Sequence, residues 1–384
     1  MDFDLNQGDS DIKATATRLA RGPLKELGPI WDQERVLARE ANTLLADSGL
    51  LRLLAPRIGA PKVRALPLVL VREQLASASA HVDSLFAVQG LASYPIVLGG
   101  SDDQRDRYLP GLTDGRLIGA FAVTEPEAGS DLGGIATVAR ETDGGWTIDG
   151  SKDFISHAGF ADIYVVFARL ERSDGPLSAF VVEASNPGLT AGPVPELMAS
   201  HVLASLTLDG CRVPGNARLA GLSGDDLVSK TLELFRPSVG AAAVGLASAA
   251  LQEALEFTAQ RHQFGRPVAD FQAVRFRLAE MATRLEAARN LVYRAAWELD
   301  SERPGQRMLS SMAKLFATEA AGWIVDQAVQ LHGAKGLMRG TRVELLYREE
   351  RALRIYEGTS EIQHLIIASE LRHRHGQAKS GGSG

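Results

Sequence analysis

What most constrains the fold is a change of texture along the chain. Between residues 118 and about 222 turn signals crowd together: Asp143-Gly-Gly145, Asp149-Gly150, Ser173-Asp-Gly-Pro176, Asn186-Pro-Gly188 and Asp209-Gly210. Gly, Asn, Asp and Pro each favour a chain reversal for a local steric or hydrogen-bonding reason. Between them lie short strand-like runs, Trp146-Thr-Ile148, Ile163 to Phe167, Ala179 to Val182 and Leu206-Thr-Leu208. That spacing predicts an antiparallel sheet or a small barrel. On both sides the turn signals thin out and helical patterns take over. Leu278, Met281, Leu285, Ala288, Val292, Ala295 and Leu299 recur at steps of three and four, one stripe on one helix face. Leu309 to Leu331 reads as a second long helix ending before Gly333, and Leu68 to Leu91 as a buried helix or helix pair. Ser101-Asp-Asp-Gln104 and Ser360-Glu-Ile-Gln363 have the form of capping boxes, the second opening a helix toward Leu371.

The order helices, sheet, helices excludes both a parallel α/β sheet and a plain sandwich. The expected organisation is α+β and mainly α. A helical region covers residues 1–117, a middle β-domain 118–224 and a second helical region 225–375, with a mobile tail at 376–384.

Composition narrows the function. Apolar residues make up 45% of the chain and charged ones 23%, enough to offset the entropy of ordering it. A net charge of −6 argues against a broad nucleic-acid surface, so no nucleic-acid partner is expected. Cys211 is the single cysteine, which excludes an intrachain disulfide, a Cys-cluster metal site and an iron–sulfur site. The first residues are polar and acidic, without a secretory or transit pattern. The most apolar stretch, Gly240 to Leu251, is shorter than the ~20 residues of a membrane-spanning helix. The expectation is a cytoplasmic protein with no membrane span. No GxGxxG follows a strand, and no P-loop, His-Glu-x-x-His or GxSxG occurs. His373 and His375 lie beside the tail and read as a solvated end, so no metal is expected.

Four segments remain that carry chemistry. Phe121-Ala-Val-Thr-Glu-Pro-Glu-Ala-Gly-Ser-Asp131 joins a strand-like run to a turn rich in hydroxyls and Gly, able to bind a planar polar ring or a phosphate. Arg261-His-Gln-Phe-Gly-Arg-Pro267 breaks two helices and offers a guanidinium to a phosphate or carboxylate. Gln330-Leu-His-Gly-Ala-Lys-Gly336 ends a long helix with C-cap glycines. Ile355-Tyr-Glu-Gly-Thr-Ser-Glu-Ile-Gln363 puts Glu357 on a loop among apolar neighbours, where a raised pKa would suit a general base. Each segment taken alone also reads as an ordinary turn, cap or solvated acid.

Together, in this order and at these separations, the segments resemble the acyl-CoA dehydrogenase family of flavoproteins. Ala122-Val-Thr-Glu-Pro-x-Ala-Gly-Ser-Asp131 and the C-terminal Ile355 to Gln363 are similar to its two signatures, and Trp146-x-Ile-x-Gly-x-Lys152 to the strand pair between. The resemblance implies a helical N-terminal domain, a middle antiparallel β-barrel-like domain and a C-terminal four-helix bundle. It also implies FAD and a homotetramer built as a dimer of dimers. Flavin contacts would come from Phe121, Val123, Thr124, Ser130, Phe154 and Ser156, with Thr359 and Glu361 flanking the adenosine portion. Arg261, Phe264, Gln272, Gln330 and Gly333 would come from a neighbouring subunit. Ser130, Glu233, Arg236 and Gly358 fall where the family holds the CoA arm, and Tyr356 beside the base.

Glu357 matches the catalytic base of the family. Some members carry the base at the position of Phe235 instead, and Phe has no proton-accepting group. The implied reaction removes the α-proton of an acyl-CoA thioester and transfers a β-hydride to flavin N5, giving a trans-2-enoyl thioester. An electron-transfer flavoprotein would reoxidise the flavin. Departures from the family pattern occur at Ala55 to Lys62, at Phe154 and Ser156 (often Trp and Thr), at Ala334, and at Glu196 to Val202, which lacks the usual Gly and basic residue. Within that last segment His201 reads as a surface histidine. The same residues also fit a thioester on an acyl-carrier protein, a flavin oxidase or monooxygenase, or a flavin-binding scaffold without turnover.

Overall fold

The computed structural model describes residues 4–380 except 35, 56–61, 173, 200 and 304, with the backbone alone of 376–380. The departure at Ala55 to Lys62 therefore lies largely outside the described residues. Six helices come first: α1 (Gln7–Arg21), α2 (Pro23–Trp31), α3 (Arg39–Asp47), α4 (Ala65–Ala78), α5 (Ala80–Gly99) and α6 (Asp102–Thr113). Eight strands follow: β1 (Gly119–Ala122), β2 (Val138–Thr142), β3 (Gly145–Ser156), β4 (Ile163–Leu170), β5 (Leu177–Glu183), β6 (Leu189–Ala191), β7 (Leu203–Pro214) and β8 (Arg218–Leu219). The long helix α7 (Gly224–Gln260) leads to a short hairpin, β9 (His262–Gln263) and β10 (Arg266–Pro267). Four helices close the chain: α8 (Gln272–Asp300), α9 (Gln306–His332), α10 (Arg342–Leu353) and α11 (Ser360–Ser380). The order helices, sheet, helices is as the turn signals required. α11 carries helix to Ser380, into the stretch expected to be a mobile tail.

The chain forms two compact units, one of residues 1–29, 64–80 and 233–384, the other of 30–63 and 81–232. In the first, α8 packs on α9 and on α4, and α10 and α11 pack on α9. The stripe foreseen on α8 faces inward: Met281, Leu285, Ala288, Val292 and Ala295 are buried. Gly240 meets this layer closely; a Cβ there would lie 2.8 Å from Val292 Cγ2.

The second unit holds an eight-stranded sheet in the order β6-β7-β3-β2-β4-β5-β8, with β1 beside β4. It is mixed rather than purely antiparallel, because β4 pairs in parallel with both β1 and β2. Local turn chemistry reveals hairpins, and these two pairings are made by strands joined through longer connections. One sheet face is covered by Ile96 of α5 and Leu109 and Leu112 of α6, packed with Val165, Phe167 and Val181. The Ser101 capping box is formed as expected.

α5 and α7 are each long and apolar enough to cross a membrane, contrary to the expectation drawn from Gly240 to Leu251. Their apolar windows are 72% and 83% buried within the protein, as core helices are.

Candidate active site

In the sheet unit the 121–131 segment is sewn onto β3. Lys152, with no exposed surface, donates through Nζ to Val123 O (3.1 Å) and to Glu125 Oε1 (2.8 Å). Glu125 also accepts from Ala136 N (2.7 Å) and Thr137 N (3.0 Å). Burial pushes the Lys152 ammonium down, to about 8, against the attraction of Glu125. Burial opposes ionisation of Glu125 too, but Lys152 and these backbone donors hold its carboxyl below the usual range.

The β3–β7 register slips between Lys152 and Ile155, and at this bulge Asp153 N–H donates to Thr124 O (2.9 Å). A bulge re-aims the side chain it carries. Phe154 sits there at φ 53° and is 60% exposed, an unusual state for an aromatic residue in a strand. The structure thus brings Val123, Thr124 and Phe154 together, with Ser156 two residues along and Phe121 edge-on to Phe167 at 5.1 Å. Ser130 lies exposed in the turn.

His201 is not a free surface group. Its Nε2 lies 2.9 Å from Ser156 Oγ and its Nδ1 3.4 Å from Ser84 Oγ. Burial pushes it down to about 4. Sequence reasoning missed this contact because it is made between segments 45 residues apart.

The helical unit holds two further groups of candidates. At one end of the bundle, Phe257 stacks on His332 with centroids 4.3 Å apart, joining the ends of α7 and α9. Arg261, Phe264 and Gln272 follow in the hairpin and at the start of α8, and Gln330 and Gly333 close α9. Phe264 is 93% exposed at φ 52° and Gly265 has φ 79°, the left-handed pair that a two-residue hairpin turn requires.

The second group surrounds Glu357, which has φ 53° and is followed by Gly358 at φ 92°. Arg236 of α7 is buried, with Nε 3.4 Å from Glu357 O. Burial lowers its guanidinium pKa, and the negative charge of Glu357 opposes that. Glu233 lies one turn earlier, half-buried, while Phe235 points into the core with no exposed surface. Tyr356 is exposed. Gln363 Nε2 donates to Gly358 O (2.9 Å) and Glu357 O (3.3 Å), and Lys314 Nζ donates to Gly358 O (2.9 Å).

The capping box read at Ser360 does not form, and the N-cap lies one residue earlier. α11 begins at Ser360, so Thr359 is its N-cap, with Oγ1 accepting from Ile362 N (3.4 Å). The Ser360 hydroxyl donates to Glu319 Oε1 (2.5 Å) instead, and Gln363 turns toward the Glu357 loop. Lys314 was missed altogether. Its signal was a lone cation inside the apolar run Met312-Ala-Lys-Leu-Phe-Ala317.

Thr359 and Glu361 lie with Glu357, beside Lys314 and Glu319 of α9. Gln330 and Gly333 lie at the far end of the same helix, about 24 Å along its axis at 1.5 Å per residue. The expected cofactor contacts of this unit are therefore not one cluster.

Family models for the acyl-CoA dehydrogenase N-terminal, middle and C-terminal domains match residues 7–116, 120–211 and 223–372. The chain belongs to the acyl-CoA dehydrogenase family. Among its relatives is an acyl-CoA dehydrogenase of Bacillus subtilis, 40% identical over 310 residues, 79% of this chain and 81% of that protein. A 3-(aryl)acrylate reductase of Clostridium sporogenes is 36% identical over 367 residues, 94% of this chain and 97% of that protein. Among solved structures, a glutaryl-CoA dehydrogenase from Mycobacterium smegmatis in complex with FADH2 superposes with a TM-score of 0.89 at 27% identity, covering 96% of this chain and 95% of that one. The arrangement of helical N-terminal domain, middle sheet and C-terminal bundle is that of the acyl-CoA dehydrogenases. The residues present also suit a flavin: Phe154 and Phe264 offer exposed aromatic faces that no core contact requires, and Arg261 an exposed cation.

Proposed function

We propose that this enzyme dehydrogenates an acyl-CoA thioester between its α and β carbons, with Glu357 as the base. The protein is an oxidoreductase acting on a CH–CH group, and its cofactor is FAD. When bound, FAD supplies the acceptor for the β-hydride. The chain supplies the rest. A thioester α-C–H is a weak acid, so the base must be ionised, aimed and shielded from water. Glu357 leaves the chain at a left-handed position braced by Arg236, Lys314 and Gln363, and this is the observation that carries the reading. Its carboxylate takes the α-proton, and its backbone N–H donates to the thioester carbonyl as enolate character develops. Tyr356 and Ile355 flank it with apolar surface. Val123, Thr124, Phe154 and Ser156 form the flavin wall.

Ser130, Glu233, Arg236 and Gly358 are each proposed to meet the CoA arm of the substrate. Arg261, Phe264, Gln272, Gln330 and Gly333 are assigned to a flavin bound with a second subunit, because they lie toward the C-terminal end of α9, away from Thr359 and Glu361. That separation supports a second copy of the chain at the flavin, and the proposed assembly is a homotetramer built as a dimer of dimers. An electron-transfer flavoprotein is the proposed acceptor, and the cytoplasm the proposed location.

The reverse reaction uses the same groups, with protonated Glu357 as the acid. The reductase from Clostridium sporogenes gives that direction a specific motive.

Anaerobic titration of the yellow enzyme with straight, branched and aromatic acyl-CoAs of graded length tests the reading. Bleaching by a saturated thioester supports dehydrogenation, and no bleaching by any thioester overturns it. Glu357→Gln is expected to keep bound FAD and lose turnover at least about 10²-fold, the scale of a lost general base. Turnover close to the parent would remove Glu357 from the mechanism.

A further inference from the structure

Lys314 is fully buried on α9, in a stretch that is otherwise apolar. A buried ammonium is costly unless it is paired and hydrogen-bonded. Its Nζ is spent on one backbone carbonyl, Gly358 O, at 2.9 Å. Gln363, also without exposed surface, donates through one nitrogen to that carbonyl and to Glu357 O. Both successive carbonyls of the left-handed Glu357-Gly358 pair are thereby held from the side of α9 and α11. A left-handed glutamate is a strained state that persists only where its surroundings impose it.

Each carbonyl shares a rigid plane with the next N–H. Holding the C=O of Glu357 sets the peptide plane that leaves its Cα, and holding that of Gly358 sets the plane after, so the left-handed turn from which the Glu357 side chain departs cannot relax. Gly358 is fitted to this arrangement, since a Cβ there would stand 2.7 Å from Gln363 Nε2.

We propose that Lys314 and Gln363 are positioning residues that hold Glu357 in its proton-transfer orientation; this rests on the reading of Glu357 as the base. Lys314 adds charge to geometry. The charged groups facing it are Glu357, Arg236, Glu319 and Glu361, with Arg307 and Glu233 acting on Arg236. Burial pushes the Lys314 ammonium down to about 8, and Glu357 works against that. By the same interaction Lys314 favours the ionised form of Glu357.

The test uses flavin-loaded, full-length enzyme and the acyl-CoA from the titration that reduces the flavin fastest. Lys314→Met should lose roughly 10- to 100-fold in kcat, as small misplacements of reacting groups do, with KM little changed. The acidic limb of its kcat–pH profile should move to higher pH, because a cation near the base has gone. Lys314→Arg should restore most of both. Gln363→Leu should lower kcat without moving the limb, since it removes no charge. A side chain that merely stabilised the bundle would leave the limb in place.

Turnover retained by Glu357→Gln overturns the underlying reading and this inference with it. Turnover lost by Glu357→Gln, but kept by Lys314→Met and Gln363→Leu with an unmoved limb, overturns the positioning role alone. If Lys314→Met yields no flavin-loaded protein, Gln363→Leu decides: a kcat within about twofold of the parent overturns the role, and a drop on the 10-fold scale or more supports it.

Discussion

Six non-glycine residues among those described have positive φ, and three of them, Phe154, Phe264 and Glu357, are residues singled out for function. For a bulky aromatic side chain this conformation is a genuine outlier. Strain of order 1–3 kcal/mol at such positions has to be outweighed by neighbouring bonds. At Phe154 the neighbours are the β3 bulge and the bond from Asp153 to Thr124; at Glu357 they are Lys314, Gln363 and Arg236. The Lys152–Glu125 pair is the matching device on the sheet. Removing one partner of a buried ion pair leaves a buried charge uncompensated. Lys152→Met should therefore lower unfolding stability by about 3–5 kcal/mol, read from urea titrations, and reduce flavin occupancy by freeing the 121–131 segment. The double change Glu125→Gln with Lys152→Met should cost less than the single one. An equal or larger cost would show that the pair is not held by charge compensation.

At the scale of elements, three histidines tie the sheet to its surroundings. His157, after β3, has Nδ1 3.0 Å from Gly119 O of β1. His81 of α5 accepts from Ala38 N (3.2 Å), and His201, before β7, meets Ser156. Burial pushes all three down, to about 3 for His157 and about 4 for His81 and His201. Each folded pKa lies below the unfolded value near 6.5, so the unfolded chain binds more protons in the window between them. Stability then falls as pH drops from about 6.5 toward 4. Urea midpoints measured across that window should decline with acidity, and a flat profile would contradict the burial of these rings. Elements also show where local reading succeeds. The Ser101 box formed because its partners lie three residues apart on one helix turn. The box at Ser360 did not, because Glu319 on α9 took the serine hydroxyl and the 357–358 carbonyls took Gln363. A tertiary partner outcompeted the local one.

At the scale of the whole molecule, the proposed assembly rests on two groups of proposed flavin contacts that lie apart along α9. Thr359 and Glu361 lie with Glu357 against the N-terminal half of α9, around Lys314 and Glu319, while Arg261, Phe264, Gln272, Gln330 and Gly333 gather toward its C-terminal end. Analytical ultracentrifugation should give a tetramer. Phe264→Asp should reduce bound flavin, seen as lost visible flavin absorbance, with the helical content of the protein unchanged. A monomer that holds a full complement of flavin would contradict the two-subunit assignment. The exposed Phe264, Phe276 and Leu337 are apolar surface of the kind a partner covers.

The sequence by itself determined the order of helices and sheet, the inward stripe of α8 and the family, because periodicity, turn chemistry and signature spacing are all local properties. Only the tertiary structure decided the parallel pairings of β4, the bulge at Phe154, the contact of His201 with Ser156, and the donors that hold Glu357. Each depends on groups dozens of residues apart arriving at hydrogen-bond distance, and nothing in the spacing along a chain records which distant carbonyl a buried lysine will find.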